Sequence, residues 1–231
     1  MADVQVRRVH FGYFVRPAEE TGTGSPRVES CLGYLVDHPD GLLLFDTGMG
    51  NDPEVDLHYR PRRQPLGAAL AASGAAVEHV RMVANCHLHF DHCGGNPQLS
   101  GRPVFTQAIE LDAARHTPDY TLPDLIDAPG VLYEELSGES EVLPGVLLLP
   151  TPGHTGGHQS MVVRGGDGTV VVLAGQSHDT ATAFSADVLA WRARRDGHGE
   201  PLPVTPAWME RLHQMDPARV VFAHDNAVWE P

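Results

Sequence analysis

From Asn85 to Asn96 the chain reads Asn-Cys-His-Leu-His-Phe-Asp-His-Cys-Gly-Gly-Asn, which sets His87, His89 and His92 and the carboxylate of Asp91 within six positions. Neutral imidazole nitrogens suit zinc and related divalent ions, and a carboxylate offsets the charge of the cation. The apolar run Val80 to Cys86 precedes these donors. If that run is a strand, His87 and His89, two apart, point to the same side. Asp91 and His92 follow where the strand should end, and Gly94-Gly95 permits a tight turn that carries them toward a second position. One stretch can thus feed two neighbouring ions. The plain alternative is a histidine-rich surface loop in a chain with 14 histidines, but chance scatter rarely produces H-x-H-x-D-H at a strand end.

Further donors come from distant parts of the chain. Thr151-Pro152-Gly153-His154-Thr155-Gly156-Gly157-His158-Gln159-Ser160 follows an apolar run ending at Leu149. Pro152 and Gly153 make a rigid turn able to aim the ring of His154 inward, a candidate third histidine for the first ion. His158, four positions on across two glycines, reads as a hydrogen-bonding or buried structural residue behind the site rather than a ligand. Phe222-Ala223-His224-Asp225 brings another histidine out of an apolar strand, the third donor that an ion beside Asp91 and His92 needs. Three protein ligands per ion leave positions for water and substrate, as in catalytic rather than structural sites. Two such ions can acidify a shared water and polarise a carbonyl, which is the chemistry of hydrolysis. No serine or cysteine nucleophile is needed.

The elements that must position these residues follow from pattern and turn chemistry. Strands are expected at Val4 to Val15, Ser30 to Val36 and Leu42 to Phe45, the last two forming a hairpin about His38-Pro39-Asp40-Gly41. The hairpin ends in Asp46-Thr47-Gly48, a carboxylate where strand gives way to loop. Further strands are expected at Val80 to Cys86, Pro103 to Thr106, Val131 to Leu136, Glu141 to Leu149 with a turn at Pro144-Gly145, Ser160 to Arg164, Thr169 to Ala174 and Val220 to Ala223. Helices are expected at Leu66 to Ala72, Gln107 to Arg115 and from Thr205 or Pro206 to Met215. Asn51 to Pro65, with Arg60, Arg62 and Arg63, is either a solvated loop or a lid, and Thr117 to Pro129 an irregular pocket wall. No repeat or linker divides the chain, which reads as one domain over residues 1–231.

Bulk properties exclude several function classes. The net charge of −14, from 30 acidic against 16 basic residues, works against a nucleic-acid or anionic-membrane partner and leaves a small-molecule substrate. No apolar run approaches membrane-spanning length and no signal-like segment opens the chain, so a cytoplasmic protein is expected. Cys31, Cys86 and Cys93 are too few for a disulfide framework and read as buried free thiols, Cys93 packing the core. The oligomeric state stays open, a homodimer included.

Together, H-L-H-F-D-H-x-G-G-N, T-P-G-H-x-x-G-H-Q-S and the segment from Cys31 through Tyr34-Leu35-Val36 to Phe45-Asp46-Thr47-Gly48-Met49 resemble the metallo-β-lactamase superfamily, and within it the N-acyl-homoserine lactone lactonase branch. The resemblance runs from about residue 30 to 226. It implies an α+β, four-layer αβ/βα sandwich: two mixed β-sheets face to face, helices outside, and two divalent metal ions, zinc above all, at one edge. By position, His87, His89 and His154 would hold the first ion and Asp91, His92 and His224 the second. Asp91 would also pass a proton to the departing alkoxide as a lactone opens. One loop departs from the family pattern. Gln176 stands where a bridging aspartate is usual, and a neutral amide can offer one oxygen but not a charged, two-ended bridge. Asp179 stands where many lactonases carry a tyrosine; His178 or Asp179 could serve as a compensating ligand. Other readings therefore stay open: a different ester, thioester, phosphodiester or β-lactam hydrolase, a metal-binding protein without hydrolysis, or a mononuclear iron redox enzyme.

Overall fold

The alternation of side chains along each strand builds the architecture. A computed structural model describes residues 4–231. In β2 (Arg27–His38), Leu32, Tyr34 and Val36 face one way and Cys31 and Leu35 the other, and all five are buried. A strand buried on both faces must lie inside a layered structure. β1 (Gln5–Arg16) and β3 (Gly41–Phe45) flank it antiparallel. Beyond β3 come β5 (Val80–Ala84), β6 (Pro103–Gln107) and β7 (Leu132–Leu136), all parallel to it. The two-residue β4 (Arg62–Arg63) closes the other side of this seven-stranded sheet. The second sheet has five strands: β8 (Ser140–Leu143), β9 (Val146–Pro150), β10 (Gln159–Arg164), β11 (Val170–Leu173) and β12 (Arg219–Val221). Its β11 and β12 are parallel and the other pairs antiparallel.

The inner faces meet in one core, where Leu32, Tyr34, Leu43 and Phe45 pack against Val146, Leu148, Met161 and Leu173. The outer face of the first sheet is covered by α2 (Leu66–Ala72), whose Leu66, Ala69 and Leu70 pack on Val9, Leu35 and Leu44. The outer face of the second sheet carries α6 (Ala181–Arg195) and α7 (Trp208–Gln214). Phe184, Val188, Met209 and Leu212 pack there against Val162, Val172 and Phe222. The expected four-layer sandwich of two mixed sheets is thus present. Among the described residues, no helix is long and apolar enough to cross a membrane.

Several segments differ from the sequence-based expectation. Arg62 and Arg63 form neither lid nor free loop, because β4 pairs with Gly12 and Tyr13 of β1. Gly12 has φ +114, and a Cβ there would lie 1.8 Å from the Arg62 carbonyl oxygen, so only glycine fits. The segment over the cavity is instead α1 (Pro53–Tyr59), started by Asp52, whose side chain accepts from the Glu54 and Val55 amides, with Pro53 in its first turn. Glu141 to Leu149, by contrast, turns at Pro144-Gly145 as expected and forms the hairpin β8–β9. Thr117 to Pro129 contains the short α5 (Pro123–Ile126). The 15-residue α6 was not expected, although Thr180 caps it and Ala181, Phe184 and Val188 supply a buried stripe.

Direction along the strands gathers the site. β1, β3 and β5 run one way in the first sheet, and β9, β11 and β12 likewise share a direction in the second. Their C-terminal ends meet at one end of the sandwich: the Gln159 amide donates to the Cys86 carbonyl at 2.8 Å, and the Leu32 amide to that of Ala223 at 2.9 Å.

Candidate metal centre

β5 stops at Ala84, so His87 and His89 stand not on a strand but on the loop leading to the short α3 (Phe90–Cys93). The loop still brings their donors together, with His87 Nε2 3.0 Å from His89 Nδ1. His154 joins them from the turn after β9, its Nε2 3.2 Å from the same His89 nitrogen. The second group forms beside the first. His92 Nε2 lies 3.2 Å from His224 Nε2, and Asp91 Oδ2 lies 3.4 Å from each. A tetrahedral ion at ordinary zinc–nitrogen distance holds its donors about 3.4 Å apart. The six residues expected as ligands thus fall into the two expected groups.

The opposite ring nitrogens test the fit. His92 Nδ1 donates to Asp46 Oδ2 at 3.0 Å, and His224 Nδ1 to the Ser30 carbonyl at 2.8 Å. His87 Nδ1 lies 3.1 Å from the Cys86 sulfur. Committing the outward nitrogen to a partner turns the lone pair of Nε2 inward, the arrangement metal-binding histidines use. Burial, then the neighbouring imidazoles, holds His87 well below the usual histidine range, so its ring is neutral and able to donate. At His92 burial opposes charge, but the adjacent Cys86 sulfur and the field of the Asp91 and Asp46 carboxylates raise its pKa well above that range. A field that favours a proton at this ring also favours a cation. Burial alone would raise Asp91, yet His92, then His224 and His89, hold its carboxyl far below the usual range. The donor set therefore fits divalent ions in both groups.

Residues that sequence reasoning did not assign hold the loop in place. Asp46, at φ +63, accepts the Cys86 amide on Oδ1 while orienting His92 with Oδ2. Its signal was a carboxylate directly after an apolar strand. Asn85, Thr47 and Asn96 form a buried chain in which Thr47 Oγ1 donates to Asn96, Asn96 to Asn85, and Asn85 to the His92 carbonyl. Glu110 is fully buried on α4 (Ala108–His116) and accepts from the Leu88 amide at 2.8 Å, from Thr155 Oγ1 at 2.7 Å and from the Tyr120 hydroxyl. It ties the two histidine loops together, and nothing local distinguishes it from a surface glutamate.

The glycine pair works differently from the tight turn expected. Gly94 and Gly95 have ordinary φ values of −60° and −92°. A Cβ on Gly94 would instead sit 2.0 Å from the Gly50 backbone nitrogen. The pair is required because Thr47 to Gly50 packs directly on it.

His158 belongs to neither group. Its Nε2 accepts the Gln176 amide at 3.0 Å, and Nδ1 faces the hydroxyl and carbonyl of Thr151, the buried structural role expected. His178 turns away to Asp187 and packs on Phe184 and Trp208. Asp179 pairs with Arg27 at 2.8 Å. Gln176 donates from Nε2 to Asp179 Oδ1 at 3.2 Å. Cys93 packs among Leu88, Leu111 and Ile126 as expected, whereas Cys86 is the thiol that touches His87 and His92.

Above the two groups opens a cavity of about 460 Å³. His89, Asp91, His154 and Gln176 line it, and Phe14, Tyr59, Phe90 and Leu122 supply apolar surface. A family model for the metallo-beta-lactamase superfamily matches residues 26–224. The chain belongs to the metallo-β-lactamase superfamily. Among curated relatives it is 32% identical over 168 residues to an N-acyl homoserine lactonase of Bacillus sp, covering 67% of this chain and 66% of that protein. The chain thus spans slightly under two thirds of that relative's length. A second N-acyl homoserine lactonase, from Bacillus cereus, is 31% identical over 171 residues, with the same two shares covered. Among solved structures, a quorum-quenching N-acyl homoserine lactone hydrolase superposes with a TM-score of 0.77 at 25% identity, over 98% of this chain and 94% of that one. A dizinc quorum-quenching lactonase shares the fold at 15% identity with a TM-score of 0.70, over 100% and 92% of the two chains.

Proposed function

We propose that this superfamily member is a metal-dependent hydrolase that opens lactone rings, with N-acyl-homoserine lactones as the substrate class and two zinc ions as its cofactors. The observation that carries the reading is the pair of three-donor groups side by side on the floor of a partly apolar cavity. The lactonase relatives support the substrate class. His87, His89 and His154 hold one ion, and Asp91, His92 and His224 the other. When bound, the two ions supply an acidified water and polarise the lactone carbonyl.

The chain's own residues supply the rest. Phe14, Tyr59, Phe90 and Leu122 offer the acyl group an apolar wall, which binds it and excludes water from the reacting carbonyl. Asp91 lines the cavity, where a carboxylate oxygen can take a proton from the attacking water and return it to the ring oxygen as the alkoxide leaves. Asp46, Glu110 and the Thr47–Asn96–Asn85 chain hold these groups in register.

The test is hydrolysis of a lactone panel by zinc-loaded protein in a pH-indicator assay, with metal content measured in parallel. Acid release with about two zinc ions per chain is expected. Two bound ions with no acid from any lactone, while a control lactonase responds, would remove the substrate assignment. One observation favours a second reading: Gln176 brings no charge where the family pattern has a carboxylate. A single zinc without turnover, or a single iron, would point to a metal-holding or redox protein instead.

A further inference from the structure

Five side chains connect the cavity wall to itself through the protein. Arg16 ends β1, Arg27 and Glu29 begin β2, and Gln176 and Asp179 lie on the loop between β11 and α6. Glu29 is 2% exposed and accepts from Arg16 Nε at 2.7 Å and from Arg27 Nε at 2.7 Å. Arg27 Nη2 reaches on to Asp179 Oδ2 at 2.8 Å, and Asp179 Oδ1 accepts from Gln176 Nε2 at 3.2 Å. Gln176 is also fixed at its backbone, whose amide donates to His158. Arg16 and Gln176 both line the cavity that Asp91 lines.

This chain of contacts decides which way the carboxamide faces. A carboxylate paired with a guanidinium only accepts hydrogen bonds, so the group that Gln176 gives Asp179 must be its NH2. The carboxamide oxygen then occupies the other limb. A carboxylate at position 176 would need no such control, because its two oxygens are equivalent. A carboxamide needs it, since its NH2 end repels a cation. We propose that Arg27 and Asp179 are positioning residues that fix the Gln176 carboxamide with its oxygen toward the cavity, where it serves as a neutral donor to the ion held by Asp91, His92 and His224. The two departures from the family pattern, Gln176 and Asp179, are then one coupled change. The inference rests on the metal-binding part of the proposed function and not on the identity of the substrate.

The experiment measures zinc affinity of the more weakly held ion by chelator competition on the full chain, without turnover. Asp179→Asn is the main variant because it is nearly isosteric. Its oxygen must face Arg27, which leaves NH2 toward Gln176 and reverses the carboxamide. Asp179→Asn should weaken that zinc on the order of 10-fold or more, the range typical of partners that orient ligands. It should weaken it at least as much as Asp179→Ala. In a Gln176→Ala background, Asp179→Asn should add nothing, and in a Gln176→Asp background its effect should shrink. The absorption spectrum of the cobalt-substituted protein should change with Asp179→Asn and not with a further Asp179→Asn change on Gln176→Ala. Unchanged zinc affinity in Asp179→Asn, or an equal loss with and without Gln176, overturns the inference, as does a wild-type chain that holds only one zinc. A wild type that binds two zinc ions and opens no lactone removes the substrate reading alone.

Discussion

At the scale of single residues, the donors were legible because they sit in short motifs, while their supports were not. His87, His89, Asp91 and His92 lie close enough in the chain for their spacing to speak. Asp46 orients His92 from 46 positions away, and Glu110 joins Leu88 to Thr155 across three segments. Such partners carry no local signature, because an acid that accepts buried amides looks in sequence like any other acid. His158 yields a prediction at this scale. Burial, then the nearby His154 and His92, holds its folded pKa well below the histidine value of 6.5. Protonation would also remove the acceptor for the Gln176 amide. The unfolded chain takes up a proton at His158 that the folded chain refuses, so stability is lost as pH falls through about 6.5. Between pH 7.5 and 5.5, urea unfolding of chelator-treated wild type should lose about 1.4 kcal/mol more than a His158→Gln variant does. Equal losses in the two proteins would show that His158 does not titrate this way.

At the scale of elements, the strands were legible where apolar alternation was long, as in β2, and the turns where Pro and Gly marked them. α1 and α6 escaped because polar or alanine- and arginine-rich helices have weak periodicity, and their caps, Asp52 and Thr180, are common residues in loops as well. The glycine pair shows a subtler gap. Gly94 suggests a turn, but its requirement comes from the Thr47–Gly50 segment pressed on it, a contact between parts of the chain more than forty positions apart. Gly94→Ala should therefore destabilise by overlap with backbone, with no contribution from φ. A loss of about 1–3 kcal/mol in urea unfolding is expected, together with weaker zinc binding, since the same backbone carries His92. A Gly101→Ala variant, where a Cβ meets nothing within 4 Å but φ is +78°, isolates the conformational cost for comparison.

At the scale of the whole molecule, the four-layer sandwich followed from resemblance rather than from pattern alone, because strand order in a sheet is not written locally. What the fold adds is convergence. The six candidate ligands come from the ends of β5, β9 and β12, so ions bound there link both sheets. Zinc should accordingly stabilise the entire fold and not a single loop. At free zinc 100 times the dissociation constant, each site should add about 2.7 kcal/mol to the unfolding free energy. Calorimetry at increasing free zinc should show one transition moving upward. A constant midpoint, or a separate early transition for the ligand loops, would contradict this.

Among the hydrogen bonds that link the sheets at the site end are Gln159 to Cys86, Leu32 to Ala223, and the Tyr34 hydroxyl to the Phe222 carbonyl at 2.8 Å. The opposite end instead holds a cleft of about 470 Å³ between Val6, Val163, Val171 and Val221. The sandwich is therefore like a book bound more closely along one side, with the contact of His38 Nε2 and the Pro144 carbonyl at 3.1 Å tying the far margin. Parting of the two sheets should begin at the far margin, away from the ligand loops. Amide hydrogen exchange should record this asymmetry, with Val163 and Arg164 at the open margin exchanging sooner than Ala174 and Ala223 beside the spine.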